Sequence, residues 1–141
     1  MKQQDIFDLA AAYLAEDPRA LDTADLRRRA PGILAASVIE LEPLDREVSE
    51  APCRSYPAYG ELSEMTAEFP LHERLAAVCA LRAASHLILD ENPALSARLS
   101  EEYEAMRANV IRSLPAHVAP ILNKYGTGRR GGWQKRKQLL P

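Results

Sequence analysis

The residues of this chain that could do chemistry are three histidines, two cysteines, an acidic run and a basic run, and their spacing excludes most catalytic roles. His72, His86 and His117 stand alone. No two of them share zinc-ligand spacing, and there is no HExxH pair. His86 is expected as a packed or hydrogen-bonded core residue on a helix face, and His72 as a solvated residue in a first helical turn. Glu101, Glu102 and Glu104 crowd one stretch, which reads as a solvated helix face rather than an acid–base pair. Asp90-Glu91 falls at a helix C-terminus, where negative charge opposes the dipole, a hint of a contact. Cys53 and Cys79 form no CxxC and no disulfide framework, which fits a reducing compartment. With no triad, redox pair or cofactor fingerprint, neither an enzyme nor a cofactor is expected.

The stretch Gly126-Thr127-Gly128-Arg129-Arg130-Gly131-Gly132 has the glycines of a phosphate loop but lacks its GK[ST] ending and a preceding strand. What remains is a basic arm carrying one tryptophan. Tyr125, Arg129, Arg130, Trp133, Lys135, Arg136 and Lys137 could meet phosphates, stack on a base or seat on an acidic protein surface. Charge supports a division there. The whole chain carries a formal −2, yet from Lys124 onward there are six basic residues and no acid, so residues 1–123 carry −8. An acidic body with a basic tail implies a negative partner for the tail.

The elements that must position these groups are helical. At 141 residues the chain is one domain, with 47% apolar and 27% charged residues but only 6% aromatics. A core of Leu, Ala, Ile and Val favours helix packing over a sandwich. No run approaches the ~18 apolar residues of a membrane span, and the N-terminus lacks a signal-peptide pattern. The clearest unit is a helical hairpin over 69–114. Its first helix begins at Pro70 or Leu71. Its apolar residues occupy more than one face, so that helix is expected at the centre of the bundle. Asn92-Pro93 caps and starts the second helix, over 93–113, with the stripe Leu95, Leu99, Tyr103, Met106, Val110 and Leu114. Ahead of the hairpin, Ile6, Leu9, Ala10, Tyr13 and Leu14 predict a helix over 4–15.

A further helix starts near Thr23. It is expected to kink or break at Pro31-Gly32 and to end at Glu42-Pro43. The stretch 45–68 is too long for a simple connection and reads as a loop or arm, with a short β-hairpin possible around 53–59. Tyr56, Tyr59, Met65 and Phe69 are its candidate contact residues. Val118, Ile121, Leu122 and Tyr125 suggest a last short turn against the body, giving a helical domain over 1–125 and a basic tail over 126–141.

One family shares this order of elements. Asp5-Ile6-Phe7-Asp8-Leu9-Ala10 opens the chain, and Asp25-Leu26-Arg27-Arg28-Arg29-Ala30-Pro31-Gly32-Ile33-Leu34 leads into a helix through Glu40-Leu41. After a variable loop come Phe69-Pro70-Leu71, Leu89-Asp90-Glu91-Asn92-Pro93, and Leu95-Ser96 on to Tyr103. Over roughly 4–114 the chain resembles the head–tail connector (adaptor, or head completion) proteins of tailed bacteriophages and prophages. The resemblance implies a virion structural protein at the head–tail junction, made in the bacterial cytoplasm. It would form a homo-oligomeric ring, commonly of twelve copies, between the portal protein and a downstream neck or tail protein. It would extend the channel and help to retain packaged DNA. It also implies that the tail orders against the portal or the DNA, and that loop 45–68 meets ring neighbours or the next tail protein. The tail is richer in basic residues and glycine than the family pattern requires. A different reading of the same residues is a small nucleic-acid-binding regulator with a helical domain and a basic arm.

Overall fold

In the computed structural model, which describes residues 1–14 and 23–115, the chain is an all-α bundle. Five helices occur among these residues: α1 (Gln3–Leu14), α2 (Thr23–Val48), α3 (Tyr59–Leu62), α4 (Ala76–Leu87) and α5 (Pro93–Ser113). A single 3-10 turn, Glu73–Leu75, leads into α4.

Helix α4 is the axis of the bundle, as its two-faced apolar pattern requires. It packs against α1, α2 and α5, which make far less contact with one another. Val78, Cys79, Ala80, Leu81, Ala83, Ala84 and Leu87 are all buried. Alanines let three neighbours approach one short helix closely. At the crossing with α5 the approach is fixed by serines: buried Ser96 donates its hydroxyl to the Ser85 carbonyl at 2.8 Å. The turn between the helices forms as its sequence dictates. The Asn92 side chain accepts from the Leu95 N–H at 3.0 Å, and Pro93 takes the first helical position.

Helix α2 departs from its sequence expectation. It runs unbroken through Pro31 and on through Pro43 to Val48. An internal proline costs ~3 kcal/mol by forfeiting a hydrogen bond and crowding the preceding turn. Here Leu34, Ala35, Val38, Leu41 and Leu44 are buried on one continuous face, and that packing outweighs the local penalty. Gly32 does not break the helix; a Cβ there would lie 3.1 Å from the Tyr59 hydroxyl, so glycine makes room for α3. The helix ends instead at Val48. Glu50 adopts φ 53°, the Ala51 N–H donates to Arg46 O at 3.0 Å, and the Glu50 N–H donates to Glu47 O at 3.3 Å. This is a Schellman ending with glutamate where glycine is usual.

The stretch after α2 holds neither a β-hairpin nor a strand among the described residues. It contains α3, and its far end closes the N-terminus of α1. The Gln3 and Gln4 N–H groups donate to the Ala67 and Met65 carbonyls, and Phe69 N–H donates to Met1 O at 2.8 Å. Loop carbonyls thus satisfy donors that a helix start leaves open. Gln3 itself is wholly buried there, and neither atom of its side-chain amide has a partner. Such a group costs ~1–3 kcal/mol, which makes this junction a weak point of the fold.

Candidate functional site

The region expected to make contacts, 45–72, is held in place by a buried carboxylate. Asp45 lies on the apolar face of α2 and is fully buried. Its Oδ2 accepts from the Tyr56 hydroxyl at 2.6 Å and from Arg54 Nη1 at 3.0 Å. Its Oδ1 accepts from the His72 backbone N–H at 2.6 Å. Arg54 also donates to the Pro70 carbonyl at 2.6 Å, spanning the two ends of the arm. The Arg46 and Arg54 guanidiniums stand 5.1 and 5.6 Å from the Tyr56 ring centroid. Burial, with the hydrogen bond and the charge of Asp45, pushes the Tyr56 phenol up to about 12. The arm is therefore a fixed structure latched across α2 and the start of the 3-10 turn.

This latch sorts the candidate contact residues. Tyr59 is 55% exposed, although its hydroxyl lies over Gly32 of α2. Tyr56 and Met65 are half-buried, and Tyr56 is committed to Asp45. Phe69, expected as a contact residue, is buried in the core and has no surface to offer a partner. The arm's outer surface is acidic: Glu47, Glu50, Glu61, Glu64 and Glu68 are all exposed, while both of its arginines turn inward. At its root a groove is lined by Pro43, Arg46, Glu47, Glu50 and Pro52.

A second polar cluster joins three helices. Glu40 of α2 accepts from Arg82 Nε of α4 at 2.9 Å and from the Tyr103 hydroxyl of α5 at 3.1 Å. Arg82 sits 5.1 Å from the Tyr103 ring centroid. Burial and the Glu40 charge push the Tyr103 phenol up to about 12, and the same two causes push the buried Cys79 thiol there as well. His86, one turn along α4 from Arg82, is exposed rather than packed in the core. Desolvation, helped by Arg82, lowers its pKa. His72 is half-buried and structural: its Nδ1 accepts from the Arg74 N–H at 3.2 Å and caps the 3-10 turn.

Among the described residues no group of three or more His, Cys, Asp and Glu could hold a metal ion. No helix there is long and apolar enough to cross a membrane. Cys53 and Cys79 are both free. The tail candidates Tyr125, Arg129, Arg130, Trp133, Lys135, Arg136 and Lys137 lie outside the described residues. Comparisons with family models, with curated proteins and with solved structures return no match.

Proposed function

We propose that this chain is a structural connector at the head–tail junction of a tailed phage or prophage, not an enzyme. In this role it assembles as a ring, joins portal to tail, extends the DNA channel and helps to retain packaged DNA. The observation that carries the proposal is the pairing of unlike surfaces on one small body. The chain couples a latched, acid-faced arm bearing an exposed tyrosine to a tail of five basic residues without an acid. The two surfaces seek opposite partners, and a connector must hold two different neighbours. The element order shared with connector proteins gives those neighbours names. The tail, from Tyr125 through Lys137, meets the portal or the packaged DNA, and the arm around Tyr59 meets a ring neighbour or the next tail protein.

The test is capture of the full chain, and of residues 1–125 alone, by the portal protein encoded beside its gene, with stoichiometry read by light scattering. Many-copy binding that depends on the tail is the expected result. Trp133 among basic residues favours a second reading, a nucleic-acid-binding regulator. That reading gains if neither form binds portal while the full chain binds free DNA with an affinity that falls steeply with salt. The acidic arm argues against DNA contact through the body.

A further inference from the structure

Helix α2 is buried along one face and bare along the other. Opposite buried Leu34, Val38 and Leu41, an outward strip runs through Arg28, Ala36, Ile39, Pro43 and Glu50, all exposed. Ile39, at the midpoint, is 44% exposed. Arg28 and Glu50 each stand eleven residues from it, ~16 Å along the axis. One end of the strip is therefore basic and the other acidic, with Glu47 beside Glu50. Arg28 already holds Asp25 at 2.7 Å, but its side chain is 81% exposed and has donors for a second carboxylate.

The relief of the strip is matched in the same way. Toward the Arg28 end Tyr59 stands out, its hydroxyl over Gly32, seven residues before Ile39. Toward the Glu50 end lies the groove of about 610 Å³ lined by Pro43, Arg46, Glu47, Glu50 and Pro52. Its Arg46 is seven residues after Ile39. A knob and a hollow thus lie at equal distances on either side of one aliphatic residue.

We propose that a second copy of this chain seats on this strip, α2 against α2, antiparallel about a two-fold axis at Ile39. The rotation that sets Ile39 against itself brings Arg28 of each copy to Glu50 of the other. It also lays Tyr59 of each copy over the other's groove, where prolines and the Arg46 guanidinium suit an aromatic face. A parallel pairing sets arginine against arginine and glutamate against glutamate, and is disfavoured. Size sets the strength. From Arg28 to Glu50 the strip is ~33 Å long and a helix is ~10 Å wide, so α2 alone covers well under the ~800 Å² per partner of a standard interface. With Tyr59 and the groove added, the pair is a dissociable dimer of micromolar strength. The inference does not rest on the connector reading; under that reading the pair parts before Tyr59 meets a ring neighbour.

Light scattering by the full chain across the micromolar range tests it. The natural sequence passes from one copy to two as concentration rises. Ile39→Lys, at an exposed position outside the core, weakens the dimer by ~tenfold or more. Arg28→Glu and Glu50→Lys each weaken it several-fold, and the two together restore it. With Cys53→Ser removing the exposed thiol and Cys79 buried, Ile39→Cys forms an intermolecular disulfide under mild oxidation, because a residue on the axis meets its own copy. A single copy at every concentration overturns the proposal, as does a dimer that is indifferent to Ile39→Lys or that the double charge exchange fails to restore. Assembly of more than two copies that ignores these variants overturns it in favour of another face.

Discussion

Helix α2 carries two carboxylates that solve the same problem in two settings. Asp45 gathers Arg54 and Tyr56, and Glu40 gathers Arg82 and Tyr103. In both, an arginine lies over the tyrosine ring whose hydroxyl the carboxylate accepts from. The two acids are five residues apart, ~140° around the helix. Asp45 therefore faces the core side under the arm, and Glu40 faces the rim where α4 and α5 meet. The Asp45 side chain is wholly buried, whereas that of Glu40 is 42% exposed. Solvent competes for Glu40 and screens it, so the cluster trims the geometry of helices that already pack through apolar contacts. Nothing competes for Asp45, which ties Arg54, Tyr56 and the His72 N–H together while Leu62, Phe69 and Leu71 of the arm enter the core. The same chemistry is an accessory in one place and a buried fastening in the other.

Removing Asp45 should separate the two cases most sharply. Asp45→Ala strips acceptors from Tyr56, Arg54 and the His72 N–H, and breaking such a buried constellation costs about 3 kcal/mol. A denaturant melt should show that loss, with limited proteolysis now cutting within 50–68. Alkaline titration comes next. Both phenols stay protonated in the fold up to about pH 12, while unfolded tyrosine ionises near ~10. The stability that these two phenols contribute is therefore full below pH 10 and is lost between 10 and 12. Tyr56→Phe and Tyr103→Phe should each flatten that loss, read by melts across the range. Glu40→Gln should cost less than ~1 kcal/mol, because an exposed ion pair contributes little. If it costs as much as Asp45→Ala, the contrast fails. The smallest effect expected is at the root of the arm. Glu50→Gly relieves a left-handed backbone and should stabilise by up to ~1 kcal/mol in the same melt.

What the sequence made legible follows the range of the interaction. The start of α5 could be placed to the residue because Asn92, Pro93 and Leu95 settle it among themselves. The central place of α4 followed from apolar residues on several faces. The end of α2 could not be read, since the local veto of Pro43 is overruled by packing along the whole helix, and its real stop uses Glu50 instead of glycine. The arm's fastening joins residues 9, 11 and 27 positions from Asp45, beyond any local pattern. One signal was available: Leu34, Val38, Leu41, Asp45 and Val48 keep a 4-3-4-3 spacing, so an acid stands on an apolar stripe. Tyr59 as a surface residue was legible, but Phe69 as a core residue was not, because the two differ only in what the latch turns inward.

The pairing of the chain's opening residues with residues 65–69 has a consequence during synthesis. Helix α1 buries Ile6, Phe7, Ala10 and Leu14 against α4, and its first N–H groups wait for the Met65 and Ala67 carbonyls. Translation proceeds at ~5–20 residues per second, so α1 spends seconds with an apolar face and without its α4 partner. The α4–α5 hairpin needs no such wait. In the nascent chain α1 therefore stays undocked until residues 65–87, far along the sequence, have followed it out.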